Sequence, residues 1–301
     1  MDGKVSNFIQ LASVRRYTMT GGSMQGLRVI DCDNGKLRFL LNETKALDVM
    51  QLFHEGQNVS FVSKNGFTAS SGAFAGRFEG GMVYTCGLEG IGAREGCDLH
   101  GSFHNHAAEV IRTECDEKGI MIEAEIRNSE LFGRNLKMKR KIFSAIGSET
   151  VTIEDTLVNE GYRDEQYCLL YHVNVGYPLL DENAKVVGEI EKCVSRTQWA
   201  EDRANLREVI TAPVPQEEET CYFLTLKKPE ISLINAELGK TFTLSYSKDT
   251  LPCFVQWKSM ASGDYALGLE PCTGELDENF RYAHIAPGKS VLFSLNLSIH
   301  K

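Results

Sequence analysis

A dozen short runs of mixed apolar and polar residues, separated by turn chemistry, constrain this chain more than any other feature. LRVIDC, KLRFLL, NVSFVS, GIMIEAEIR, KMKRKIFSAI, TVTIEDTLVN, CYFLTLK, ISLINAEL, TFTLSYS, CFVQWKSM, YALGLEP and SVLFSLNLSIH follow one another, with DNG, DEKG, GS and NEG among their links. Many of them alternate apolar with polar. A two-residue period sets one face of a strand on a core and the other in water, and turn residues between such runs build antiparallel sheets. Helical periodicity is confined to NETKALDVMQLF (42–53) and QWAEDRANLREV (198–209). That is too little helix to supply the crossovers of a parallel sheet. The expected fold class is therefore all-β, a large antiparallel β-sandwich running as a single domain over residues 1–301. The proline- and acid-rich APVPQEEET at 212–220 reads as a surface loop, because strands of the same character resume directly after it.

Charge and composition remove several classes of function. The formal net charge is −9, and the nearest approach to a basic track is KMKRK at 137–141, so nucleic acid is not an expected partner. No apolar stretch approaches the roughly 20 residues of a membrane helix, and the start MDGKVSNFIQ lacks the basic-then-apolar layout of a secretory signal. The expectation is a cytoplasmic monomer or homodimer with no membrane partner. Nine cysteines, at 32, 86, 97, 115, 168, 193, 221, 253 and 272, are scattered without a C-x-x-C pair. They read as reduced, mostly buried thiols, not as a disulfide framework or a zinc site.

Four segments are too polar or too glycine-rich for sheet packing alone: SGAFAGRFEGGMVYTCGLEGIG (71–92), DLHGSFHNHAAE (98–109), LLYHVNVGYPLL (169–180) and YALGLEPCTG (265–274). In the third, an extended backbone puts His172 and Asn174 on one face among apolar neighbours, and Gly176 and Pro178 end the strand, leaving the imidazole near a rim. A core histidine bonded to backbone reads equally well there. In the fourth, Glu270 closes an apolar strand just before Pro271. A carboxyl in that position is either a costly buried group that needs a role or a solvated strand end.

The second segment holds His100, then His104 and His106 on one strand face, then Glu109. His-x-His with a nearby Glu can ligate a metal, as in the cupins, while the plainer reading is a solvated loop. The first segment has neither G-x-G-x-x-G nor the P-loop pattern, so phosphate cradling is not indicated. Its glycines suit close approach of backbone to a ligand, with Arg77 as a donor fork.

Taken in order, an Arg in a glycine-rich stretch, Leu-His-Gly, a strand-borne His and a Glu after an apolar strand, these segments resemble the aldose 1-epimerases and galactose mutarotase-like proteins. GGMVYTCGLEGIG, LHG, YHVNVGYPLL and QWK…GLEP look like an uncharacterised branch of that superfamily, known as a domain of unknown function, over roughly residues 25–300. The resemblance implies a supersandwich with a sugar cleft on one sheet, His172 as general acid, Glu270 as general base, His100 near the ring oxygen and Arg77 as a substrate-binding arginine. Tyr171 before His172 and VNVGYPLL after it depart from the family's usual Asn-His-x-Tyr-Phe-Asn, and the family's sugar-binding Asp has no clear counterpart.

The implied reaction interconverts sugar anomers. One group takes the C1 hydroxyl proton while the other protonates the ring oxygen, and the roles reverse on closure. Glu270 as carboxylate and His172 as imidazolium are the expected charge states, held by mutual attraction. No metal or organic cofactor is required. The expected partner is a small-molecule sugar or sugar acid, the latter favoured by Arg77, Lys258 and Arg281, with Asn174 and Lys258 as further binding residues. The alternatives are a non-catalytic carbohydrate-binding domain and a metal-dependent sugar isomerase using His104 and His106.

Overall fold

The computed structural model describes residues 3–301. Ser13–Thr18 (β1), Arg28–Asp33 (β2), Leu37–Asn42 (β3), Asp48–His54 (β4) and Gln57–Asn58 (β5) form a five-stranded sheet in chain order. Val83–Leu88 (β6), Ala108–Cys115 (β7), Gly119–Ser129 (β8), Asn135–Ala145 (β9), Thr150–Asn159 (β10) and Glu165–Val175 (β11) begin the larger sheet. Ala184–Ser195 (β12), Thr220–Asn235 (β13), Lys240–Tyr246 (β14), Cys253–Ser259 (β15), Ala266–Cys272 (β16), Ala283–Ile285 (β17) and Ser290–His300 (β18) complete it. Its thirteen strands run β17-β11-β16-β15-β13-β14-β18-β10-β9-β8-β7, with β6 paired to β11 and β12 to β13. The fold is the expected all-β sandwich, and the alternation is visible directly: buried and half-buried residues interchange along the whole of β10.

The large sheet curls over itself to make the layers. The Tyr171 hydroxyl on β11 donates to Asp155 on β10 at 2.6 Å, and the Tyr167 and Phe293 rings meet across β11 and β18 with centroids 6.2 Å apart. β6 and β11 therefore lie face to face with β9, β10 and β18. The five-stranded sheet packs onto the same core, which joins Phe39, Val49 and Leu52 to Leu136, Ile153 and Leu295. Cys32, Cys86, Cys168, Cys221 and Cys272 are buried, and all nine thiols are free.

A line of ion pairs runs through this interior. Lys45 Nζ lies 3.1 Å from Glu79 Oε2, Glu79 Oε1 lies 3.3 Å from His104 Nε2, and His104 Nδ1 lies 2.6 Å from Asp48 Oδ2. Asp48 Oδ1 then meets Arg140 at 2.5 Å, and Arg140 meets Asp155 at 2.6 Å. Burial works against the charge on every member, and the alternation of sign is what offsets it. Burial alone would raise the carboxyl of Asp48, yet Arg140, His104 and Thr85 hold it below its ordinary value.

Residues 42–53 are not helical. The chain leaves β3, turns through Ala46 and Leu47 at φ of 50° and 55°, and enters β4. Their apolar spacing imitates a helix, but Asn42 and Lys45 bind Glu79 in the interior, Glu43 pairs with Arg16 and Arg28 nearer the surface, and together they tie the turn down. In the second helical stretch only Gln198–Glu201 is α-helical (α2), followed by a 3-10 turn at Ala204–Leu206; the other α-helix (α1) is a single turn at Phe74–Arg77.

Candidate active site

Strand register assembles the centre. Asn174 pairs with Gly268 and Leu170 with Cys272 between β11 and β16, which sets His172 directly across from Glu270. Val255 on β15 stands opposite Glu270 and Trp257 opposite Gly268, while Tyr84 on β6 stands opposite His172. Cross-strand partners project to the same face. His172, Glu270, Val255 and Trp257 consequently line one cavity of about 530 Å³, with His100, Phe74, Phe78 and Arg196 around them.

His172 Nε2 lies 3.2 Å from Glu270 Oε1, and the two residues are 4% and 2% exposed. The contact lacks hydrogen-bond alignment: Glu270 Oε1 and His172 Nδ1 have no hydrogen-bond partner. Buried polar atoms are normally paired, so the unpaired Glu270 Oε1 beside the cavity is short of a hydrogen-bond partner. Gly268 makes the room. A Cβ there would fall 2.4 Å from Glu270 Oε1 and 3.2 Å from His172 Cε1.

Burial pulls the His172 imidazole down to about 3, and neighbouring His100 pushes the same way. Burial also drives the Glu270 carboxyl well above its ordinary value, with Glu219 adding to the effect. Both directions favour neutral forms, so burial favours a proton on Glu270 over one on His172. Burial thus acts against the charge states expected from mutual attraction of the pair. Burial lowers His100 to about 4, and Arg196 contributes; its Nδ1 accepts from the Gly92 amide at 3.2 Å.

The other expected site residues are placed differently. Arg77 is exposed at the end of α1 and does not line the cavity; the arginine on the wall is Arg196, just after β12. Asn174 is buried, donating to Gly81 O at 3.0 Å and to His172 O at 2.9 Å, and joins β11 to the segment before β6 instead of reaching the cleft. Lys258 follows Trp257, and strand alternation turns it to the opposite face, where its Nζ donates to Leu206 O at 2.6 Å and Val209 O at 2.8 Å. Arg281 donates to the Glu278 and Phe280 carbonyls at 3.4 Å and 2.6 Å, outside the cavity.

His104 and His106 share no strand face, because Phe103–Asn105 forms a 3-10 turn. His104 is buried with both ring nitrogens against carboxylates, while His106 Nε2 lies 3.2 Å from Asn128 Nδ2 and 3.4 Å from Ser102 Oγ. Neither the joint metal site nor the solvated loop fits those contacts. Sequence reasoning did not identify Trp257, Arg196 and Glu219 as members of the site. Trp257 Nε1 donates to Glu219 Oε2 at 2.6 Å, and Arg196 pairs with Glu219 at 3.3 Å. Trp257 lies in the QWK phrase of the resemblance, which assigns it no role, and Arg196 and Glu219 lie in none of the four polar or glycine-rich segments.

The fold defined by this sandwich and its cleft is galactose mutarotase-like. A Klebsiella pneumoniae protein described as a candidate aldose 1-epimerase superposes with a TM-score of 0.87 at 19% identity, over 97% of this chain and 86% of its own. A galactose mutarotase-like protein of Clostridium acetobutylicum gives 0.74 at 14% identity, over 97% and 99%. A candidate mutarotase of Salmonella typhimurium gives 0.68 at 14%, over 99% and 96%. Within that fold, the chain belongs to the family described as Domain of unknown function (DUF4432), which it matches over residues 24–299. No curated protein matches the sequence. Among the described residues, no helix is long and apolar enough to cross a membrane.

Proposed function

We propose that the protein interconverts the anomers of a reducing sugar by acid–base ring opening and closure at His172 and Glu270. The observation that carries this reading is the facing pair itself: two buried ionisable groups 3.2 Å apart, with orphaned polar atoms, in the wall of a cavity. Ring opening needs one proton acceptor and one proton donor, and closure needs the same two with roles exchanged. A pair holding a single proton supplies both. In the resting cleft His172 accepts and Glu270 donates, and passage of that proton between them gives the complementary assignment without a net change in charge. The apolar faces of Trp257, Phe74 and Phe78 suit the carbon face of a pyranose, and the wall excludes bulk water from the pair. The similarity to mutarotase-like structures supports the same chemistry.

The direct test is anomer exchange followed by NMR on a panel of aldoses and uronic acids, where no acceleration with any sugar overturns the reading. Neutral sugars should be turned over in preference to acidic ones. Both cations of the cleft are engaged, Lys64 with Asp264 at 2.7 Å and Arg196 with Glu219 at 3.3 Å, and Glu217 adds a further acid to the lining. A uronic acid should show a KM at least about tenfold above that of its neutral parent. Equal values would mean that the cleft presents a free cation.

The pH profile follows from the two shifts. On the acid side activity is lost only when His172 gains a second proton, and burial holds that step near 3, far below the usual histidine value of about 6.5. On the alkaline side it is lost when Glu270 releases the shared proton, above the ordinary carboxyl range. A background-corrected profile should thus be flat through mildly acidic pH, with its alkaline limb above the ordinary carboxyl range; an acid limb centred on an ordinary histidine value would contradict the buried, neutral imidazole.

A further inference from the structure

One wall of the cleft is aromatic, and the buried ion line reaches it. Phe74 opens the single turn of α1 and Phe78 follows it, the two rings stacked with centroids 4.7 Å apart. Phe78 stands 5.3 Å from the His172 ring and Phe74 stands 5.1 Å from His100. Behind them Tyr84 meets Phe74 and Phe78 edge-on, at 5.7 Å and 5.2 Å. Tyr84 in turn lies flat on His104, with 3.7 Å between centroids and 17° between planes.

Carboxylates at both ring nitrogens favour the cationic form of His104. Burial works against its charge, but hydrogen bonds to Asp48 and Glu79 raise it above the ordinary histidine value. A cation stacked on a phenol ring in a dry setting is an attractive arrangement. The same cation fixes the backbone end of the wall, because Glu79 directly follows Phe78 and is held by His104, Lys45 and Asn42.

We infer that His104 and Tyr84 are positioning residues: the clamped imidazolium, acting through Tyr84 and Glu79, holds Phe74 and Phe78 against His172 and keeps that imidazole out of water. Neither residue touches the sugar in this scheme. Their value to turnover rests on the acid–base reading of His172, but their effect on its surroundings does not. The ionisable groups facing His172 are Glu270 from β16 and His100 from the loop before β7, with the Arg196–Glu219 pair bearing on those two.

The test compares Tyr84→Leu, which removes the stacked ring without touching a charge, with Tyr84→Phe, which keeps the ring. In Tyr84→Leu the wall loosens and water reaches His172. Its NMR titration should move up from about 3 toward the ordinary histidine value of about 6.5, and kcat should fall about tenfold with KM little changed. Tyr84→Phe should restore the native titration and turnover to within about twofold. His104→Gln should reproduce the Tyr84→Leu titration. Since that variant leaves Asp48 and Glu79 without their counter-ion and can fail to fold, the Tyr84 pair carries the decision. A folded Tyr84→Leu protein in which His172 titrates as in the native chain overturns the inference. If the native protein accelerates no anomer exchange, the acid–base reading falls, and the His172 titration still decides whether the wall is held in this way.

Discussion

Glu270→Gln and His172→Gln are each expected to lower anomer-exchange acceleration about a thousandfold, within the range of a lost general acid or base. Gln preserves volume in both cases and cannot exchange a proton with its partner. Each single change breaks a two-member relay, so the double variant should be scarcely worse than either one. Folding should not suffer. Glu270 Oε1 is buried without a hydrogen-bond partner, and a desolvated, unpartnered carboxyl is costly to the native state, so the thermal midpoint of Glu270→Gln should be equal to or above that of the native protein. NMR exchange kinetics alongside thermal unfolding check both statements. Native-like acceleration in either variant would remove the pair from the mechanism.

The second large effect is on stability. Arg140 is buried, with its guanidinium shared between Asp48, Asp155, the Thr85 hydroxyl and the Ala46 carbonyl. Arg140→Met keeps bulk but leaves Asp155 in a dry interior without its cation and Asp48 with His104 alone, for an expected loss of roughly 3–5 kcal/mol in urea unfolding. Arg38→Met, which breaks the half-exposed Arg38–Asp31 pair, should cost no more than about 1 kcal/mol. The large deficit should also depend on pH. In the native chain Asp48 is held below its ordinary value, so its contribution is present above the unfolded value and is lost as pH falls through the folded one. Acidification protonates Asp48 first in the variant, where it keeps His104 but has lost Arg140, and narrows the difference between the two proteins. A pH-independent gap would assign the loss to packing instead of charge.

The fold was legible because it depends on local repetition. A two-residue period in runs such as TVTIEDTLVN fixes which side chains face inward, and turn residues fix where the direction reverses. The exception is instructive: Ala46, Leu47, Val49 and Leu52 are spaced as on a helix, but the polar residues before them are tied into the interior by tertiary ion pairs, and β3 is adjacent to receive β4. Local pattern lost there to contacts that no window of sequence contains.

The site was legible only in part, and the division follows geometry. His172, Glu270 and His100 sit in segments whose order along the chain is informative, and the structure brings all three to one cavity. Arg77 and Lys258 have suitable chemistry in or near such segments, yet one is on an exposed turn and the other on the reverse of its strand. Arg196 and Glu219 come from the ends of neighbouring paired strands, and nothing within either stretch relates them to residue 172. His104 looked like a metal ligand or loop residue because its partners, Asp48 and Glu79, lie 56 and 25 positions away.

By itself the sequence determined an antiparallel β-sandwich and the order of the four segments that carry its chemistry, since both are written in local period and succession. Which side chains meet was decided by strand register and by the folding of one sheet over another. The protonation of the central pair was decided there too. Charge preference depends on how much water is excluded, and that exclusion around His172 and Glu270 is produced by walls drawn from β6, β11, β15, β16 and the turn at Phe74–Arg77, which only the tertiary structure brings together.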